Sequence, residues 1–191
     1  KNIFKRNFFL MLSTIIVIMI AIFFINILKN KTHENETIIG GNFLLTDKNN
    51  IKYDSQSIRK NKLIYFGYTY CPDVCTFDIL KLSKFIDQNS QLKKNLEFIF
   101  ITVDPERDQP EQLQSFLENF NTSIIGLTGT KKEIQSVVQK FRIYVKKNKN
   151  SFNDQDYLVD HTSLFFLLDK DDKYLSHFRP NDFDSKMKKL F

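Results

Sequence analysis

Cys71 and Cys75 are the only two cysteines in the chain, and they stand as Cys71-Pro72-Asp73-Val74-Cys75 directly after the apolar run Leu63-Ile64-Tyr65-Phe66-Gly67-Tyr68. That order reads as a buried strand running into the N-terminus of a helix, with both sulfurs at the junction. A helix N-terminus offers unpaired N–H donors and partial positive charge, which favour thiolate over thiol. The thiolate is both the nucleophile and the metal ligand, so metal binding and thiol–disulfide exchange are both open to this pair. Residues i and i+4 lie on one helix face, so the two sulfurs can converge on one ion or close a disulfide. A purely stabilising disulfide is the bland alternative, but so short a loop closes little chain entropy.

The elements that must hold these sulfurs can be read from periodicity. Phe43-Leu44-Leu45 and the segment around Ile51, separated by Asp47-Lys48-Asn49-Asn50, read as a hairpin. Residues 63–68 form a central strand, and residues 78–86 place Ile79, Leu80, Leu82, Phe85 and Ile86 at helical spacing, with Pro72 opening that helix. A strand over 96–103 follows, then a helix started by Asp108-Gln109-Pro110-Glu111, with Asp108 as its N-cap and Leu113, Phe116, Leu117 and Phe120 facing inward. Gly126 and Gly129 punctuate a loop before a helix over 131–141. Strands over 163–168 and 174–178 are joined by Asp169-Lys170-Asp171-Asp172, and a short basic helix over 183–190 closes the chain. Strand, helix, strand, helix and paired strands is the thioredoxin order, so the fold class is α/β, thioredoxin-like, with an N-terminal β-hairpin. Phe98, Phe100, Phe165 and Phe166 alternate or cluster on strands and belong to the core.

Residues 8–28 form an uncharged run of 21 residues, interrupted only by Ser13, Thr14 and Asn26. About 20 apolar residues span a bilayer core, so this reads as a single transmembrane helix. No small-x-small cleavage site follows Ile22, so retention as an anchor is expected over cleavage. Lys1, Lys5 and Arg6 precede the span, while Lys29 and Lys31 are soon joined by Glu34 and Glu36. This slight positive-inside bias places the N-terminus in the cytoplasm and the globular part in a compartment that permits thiol oxidation. With no Arg- and Ser-rich transit peptide ahead of the span, the expected location is a bacterial inner membrane with the domain in the periplasm. The organisation is then 1–28 membrane anchor, 29–37 polar tether and 38–191 one thioredoxin-like domain.

The formal charge of +6 owes half its value to Lys1, Lys5 and Arg6, which leaves little to argue for nucleic acid as a partner. The cluster Lys146-Lys147-Asn148-Lys149 reads as a solvated loop.

The chain resembles the Sco/SenC family of membrane-anchored, thioredoxin-fold copper proteins that help assemble cytochrome c oxidase. Five blocks agree in order. Ile39-Gly40-Gly41 with Phe43 and Leu45-Thr46-Asp47 is similar to the family's first hairpin, and Phe66-Gly67-Tyr68-Thr69 with Cys71-Pro72-Asp73-Val74-Cys75 is similar to its signature. Thr102-Val103-Asp104-Pro105-Glu106-Arg107-Asp108, Gly126-Leu127-Thr128-Gly129 and Tyr157-Leu158-Val159-Asp160-His161-Thr162 resemble its later blocks. A CxxxC alone is a weak signal, whereas five blocks in register are specific. Many family members carry histidine before the first cysteine and proline after the second, where this chain has Tyr70 and Thr76.

Of the three histidines, His33 lies in the tether and His177 ends an expected edge strand, whereas His161 sits just before the strand over 163–168. In thioredoxin-like proteins that place faces the cysteines and usually holds a proline, which this chain lacks there, since its prolines are at 72, 105, 110 and 180. The expected metal ligands are therefore Cys71, Cys75 and His161. Two soft sulfurs and one imidazole suit Cu(I) and can also hold Cu(II), whereas closed zinc sites usually take four protein ligands. Asp160 is a candidate to orient His161 or to accept from a loop amide. Asp73 is a candidate to bias the local field or a docking partner, and Asp104 to approach the site from the end of its strand.

The resemblance implies a copper metallochaperone, not an enzyme in the strict sense, that delivers copper to the binuclear centre of cytochrome c oxidase subunit II from an unidentified donor. The alternative, from another class, is a tethered thiol-disulfide reductase that keeps the oxidase's copper-site cysteines reduced, with Cys71 and Cys75 as its catalytic pair. His161 separates the two, because only a copper carrier needs it.

Overall fold

The computed structural model describes residues 2–33, 39–72, 74–149 and 157–190. Two compact units are present, 1–38 and 39–191. In the first, α1 (Asn2–His33) is one helix of 32 residues, so the expected tether is helical as far as His33. The rest of that tether, with Glu34 and Glu36, lies outside the described residues. Among the described residues no helix is long and apolar enough to cross a membrane. Side chains of α1 are described at Asn7 and 11–26, a shorter stretch than the uncharged run over 8–28. Within it the large apolar side chains from Met11 to Ile25 are exposed on every side of the helix.

In the second unit a five-stranded sheet runs in the order β5-β4-β3-β8-β9, with β3 (Asn61–Gly67) at its centre, as the apolar run from Leu63 predicts. β3 and β4 (Leu96–Thr102) are parallel, as are β4 and β5 (Ile124–Leu127). β8 (Phe165–Leu168) and β9 (Tyr174–Phe178) join antiparallel on the other side of β3. Side chains on a strand alternate between faces, and Tyr65 and Phe66 show where each face goes. Phe66 packs on Phe166 and on Phe141, at the end of α4 (Lys131–Lys140). Tyr65 packs on Phe100 and Phe165, which reach Phe116 of α3 (Pro110–Leu117) and Phe183 of α5 (Phe183–Leu190) respectively. The sheet is thus covered on both sides, and all four phenylalanines assigned to the core are buried.

The expected hairpin forms from β1 (Leu44–Thr46) and β2 (Lys52–Asp54), closed by the Asp47 carboxylate accepting from the Asn49 and Ile51 amides. α2 (Val74–Gln88) carries Cys75, Ile79, Leu82 and Ile86 on its buried face. Four expectations are corrected. Pro72 lies ahead of α2 and does not open it, since the helix begins at Val74. The segment read as a loop around Gly126 is the edge strand β5. A Cβ at Gly126 would come within 2.6 Å of Leu117 Cδ1, so the glycine is what lets α3 lie against this strand. The lysine cluster over 146–149 is not a loop but part of β6 (Val145–Lys149), paired antiparallel with β7 (Tyr157–His161) in a separate two-stranded sheet. Alternation there sets Lys147 partly inward, and its charge is matched by carboxylates rather than by water alone. Finally, Asp108 does not cap α3; the N-cap is Gln109, without a side-chain bond.

Candidate metal centre

β3 delivers the chain to the site at Gly67, and Asp108 fixes the next turn. Its carboxylate accepts from the Thr69 amide (2.9 Å), the Thr69 hydroxyl (2.6 Å) and the Thr102 hydroxyl (2.6 Å), tying the ends of the two central strands together. Burial of this carboxyl pushes its pKa up, against the pull of those three donors. The Cys71 amide then donates to the Tyr68 carbonyl (3.3 Å), and Cys71 is left half-buried, ahead of the helix. Cys75 is in the first turn of α2 and fully buried. The two sulfurs therefore approach each other across a turn, not along one helix face. Asp73, between them, lies outside the described residues.

His161 is the last residue of β7. Its Nε2 is 3.1 Å from Cys75 Sγ, and the ligand atoms of Cys71, Cys75 and His161 all lie within 4.8 Å of one another. Nδ1 is 3.1 Å from the Thr162 carbonyl oxygen, which can only accept. Nδ1 thus donates to that oxygen, and Nε2 is the nitrogen turned towards the sulfurs, where it could ligate a metal. Tyr68 stands edge-on to the imidazole, with centroids 5.9 Å apart at 86°, and its hydroxyl accepts from the Val159 amide on the same strand.

The expectation that the helix N-terminus would favour the thiolate does not hold at Cys75. A hydrogen bond with Cys71, burial and the proximity of the Cys71 charge all push the Cys75 thiol up, while the Tyr68 backbone and the Tyr65 hydroxyl pull it down. With two sulfurs this close, one negative charge disfavours a second. A cation placed among the three donors would remove that penalty. The donor set of two soft sulfurs and one imidazole, pre-gathered, fits a soft monovalent or borderline metal ion such as copper.

The candidate carboxylates divide. Asp160 does not orient His161; it accepts from the Asn148 side-chain amide across the β6–β7 hairpin (2.5 Å). Asp104 is fully buried and outside the sulfur–imidazole group, where it accepts from the Tyr157 hydroxyl (2.7 Å) and Arg107 Nε (2.5 Å). Its backbone carbonyl also starts the turn to Arg107 and Asp108, the ordinary role of Asp-Pro. Arg107 stands in the family block over 102–108, where the sequence assigns it no role. It donates to the Tyr157 carbonyl (3.0 Å), so the loop after β4 grips the strand that ends in His161. His177, on the edge strand β9 as expected, meets Tyr174 and Phe166, not the cysteines.

A thioredoxin-like α/β domain whose CxxxC sulfurs meet a histidine from a separate hairpin defines the class of protein. Residues 31–189 match the SCO1/SenC family, and the chain belongs to it. It is 38% identical over 147 residues to a SCO2-like protein of Rickettsia prowazekii, covering 76% of this chain and 72% of that one. The structure of Bradyrhizobium japonicum ScoI with copper bound superposes with a TM-score of 0.71 at 37% identity, covering 80% of this chain and 99% of that one. BsSco, described as a member of the Sco family of cytochrome c oxidase assembly proteins with a disulfide switch, superposes with a TM-score of 0.60 at 26% identity, covering 79% and 92%.

Proposed function

We propose that the protein is a membrane-anchored copper metallochaperone that holds one copper ion through Cys71, Cys75 and His161 and delivers it to the binuclear copper centre of cytochrome c oxidase subunit II. The observation that carries this reading is the convergence of the three ligand atoms within 4.8 Å. The copper in the Bradyrhizobium relative and the oxidase-assembly role ascribed to BsSco support it. Copper is cargo here. Cys71, half-buried and ahead of the helix, is the ligand an acceptor's thiol reaches first, while buried Cys75 releases last. The uncharged run over 8–28 would anchor the chain in a bacterial inner membrane with the domain in the periplasm, close to a membrane-bound acceptor.

A second reading draws on the two adjacent thiols, which form no disulfide, and on the disulfide switch of BsSco. The Cys71 thiolate attacks an acceptor disulfide and forms a mixed disulfide, and Cys75 then displaces the acceptor. Two electrons pass to the acceptor, which leaves with two thiols, and Cys71–Cys75 becomes the disulfide.

The test is anaerobic Cu(I) titration of the reduced chain against a chromophoric chelator. One-to-one binding that collapses in Cys71→Ser/Cys75→Ser and weakens markedly in His161→Ala is the expected result. Absence of competitive binding by the wild type, together with ready reduction of an oxidase-derived disulfide that His161→Ala leaves intact, would establish the reductase instead.

A further inference from the structure

Beneath the sulfurs lies a buried carboxylate that neither reading uses. Asp78 is 5% exposed and stands on the apolar face of α2, three residues past Cys75. Its Oδ2 accepts two hydrogen bonds. One comes from the Tyr65 hydroxyl on β3 (2.7 Å), the other from the Ser163 hydroxyl (2.7 Å), two residues past His161. The two hydroxyl oxygens are 3.1 Å apart.

Packing of α2 on the sheet asks for nothing of the kind. Ile79, Leu82 and Ile86 already supply its apolar face, and a carboxylate there is costly to bury unless its bonds accomplish something. What these bonds join is specific. Helix α2 carries Cys75, Ser163 belongs to the segment that carries His161, and Tyr65 belongs to the strand that leads to Cys71. Three separate pieces of the chain therefore meet at one oxygen. Bonds to a charged acceptor are about twice as strong as neutral ones, so the junction is stiff.

We propose that Asp78 is the positioning residue of the metal centre: by gripping Tyr65 and Ser163 at one oxygen, it locks the Cys75 helix to the His161 segment and sets the 3.1 Å approach of Nε2 to Sγ. The proposal rests on the reading of Cys71, Cys75 and His161 as ligands. Asp78 touches no cargo and acts only through the geometry of the groups that do.

The test compares the wild-type chain, in detergent, with Asp78→Ala and Asp78→Asn by chelator competition for Cu(I) and by electron paramagnetic resonance of the Cu(II) complex. Asp78→Ala is expected to lower affinity by roughly 10- to 100-fold and to move the Cu(II) spectrum towards that of His161→Ala. The amide oxygen of Asp78→Asn still accepts both bonds, so that variant should keep the wild-type spectrum. An Asp78→Ala protein with wild-type affinity and spectrum, whatever its melting temperature, overturns the proposal. Should that variant not fold, Tyr65→Phe and Ser163→Ala each remove one grip, and wild-type values in both have the same meaning. A copper-independent arm records imidazole 15N–1H correlation spectra of the metal-free chain, where loss of the grip shifts the His161 Nε2 resonance and an unchanged resonance counts against it. If the wild type binds no copper at all, the carrier reading fails, and this arm still decides the role of Asp78.

Discussion

The Arg107 guanidinium lies over the Tyr157 ring, 3.7 Å from its centroid, with the Tyr70 ring 4.8 Å away on the cysteine loop. One cation thus bridges the hairpin that supplies His161 and the loop that supplies Cys71, and Asp104 neutralises it from below.

Removing that bridge should loosen the histidine hairpin from the loop that supplies Cys71. Arg107→Ala is expected to lose about 2–3 kcal/mol of stability, from a desolvated cation–π contact and a charge-assisted hydrogen bond, and to weaken copper binding. Arg107→Lys should not rescue it, because a lysine cannot stack and fork at once. Urea unfolding and chelator competition on the same preparations check both.

Asp108 predicts a second loss. Asp108→Ala strands three donors, from Thr69 and Thr102, in a place that Asp108 itself fills at 0% exposure. An expected destabilisation of about 3 kcal/mol follows, with Asp108→Asn milder because its amide oxygen keeps part of the network. A capping role would have predicted only about 1 kcal/mol, so the size of the change in urea midpoint separates the two.

Lys62 and Asp172 form an ion pair of 2.7 Å with side-chain exposures of 0% and 2%. Lys62→Met alone should cost about 3–5 kcal/mol, since it leaves a buried carboxylate uncompensated, and Lys62→Met/Asp172→Asn should recover much of that. Asparagine suits the positive φ of position 172 and still accepts from Ser55. Thermal melts of the two variants side by side give the answer.

Glu106 supplies a pH signature. Lys147, at 2.5 Å, and Lys131, at 3.1 Å, lower its pKa from 4.5 to about 2. A depressed folded pKa means the stabilisation is fully present above 4.5 and disappears as pH falls towards 2. Because Glu106 is 48% exposed, solvent screening keeps the effect below about 1 kcal/mol. The stability difference between wild type and Glu106→Gln should be flat from pH 5 to 8 and vanish near pH 2.

Most of what positions the sulfurs was legible because it is local. The apolar run of β3, the helical spacing after Cys75 and the hairpin around Asp47 each carry their own signal. His161 is singled out by its place before a strand and by the family blocks around it. The misreadings arise where a distant partner decides. Asp108 looks like a cap until β3 and β4 lie side by side and offer it Thr69 and Thr102. The segment around Lys147 looks like a loop until β7 pairs with it. A strand of four residues containing Gly126 shows no period, and only the fit of Leu113 and Leu117 against the missing Cβ explains it. Asp78 did carry a signal, a carboxylate on the buried face of an amphipathic helix beside a cysteine.

The hairpin that bears His161 pairs with no strand of the five-stranded sheet among the described residues. Cys75 is rooted in the core and Cys71 in the turn ahead of it, while the nitrogen arrives on a separate hairpin that buries Tyr157 and Val159 in that same core. A vessel built this way has a hinge side and a latch side. Lifting the latch means unseating Tyr157 and Val159 from the core, so an ion seated among the three donors is not shed by a loose flap.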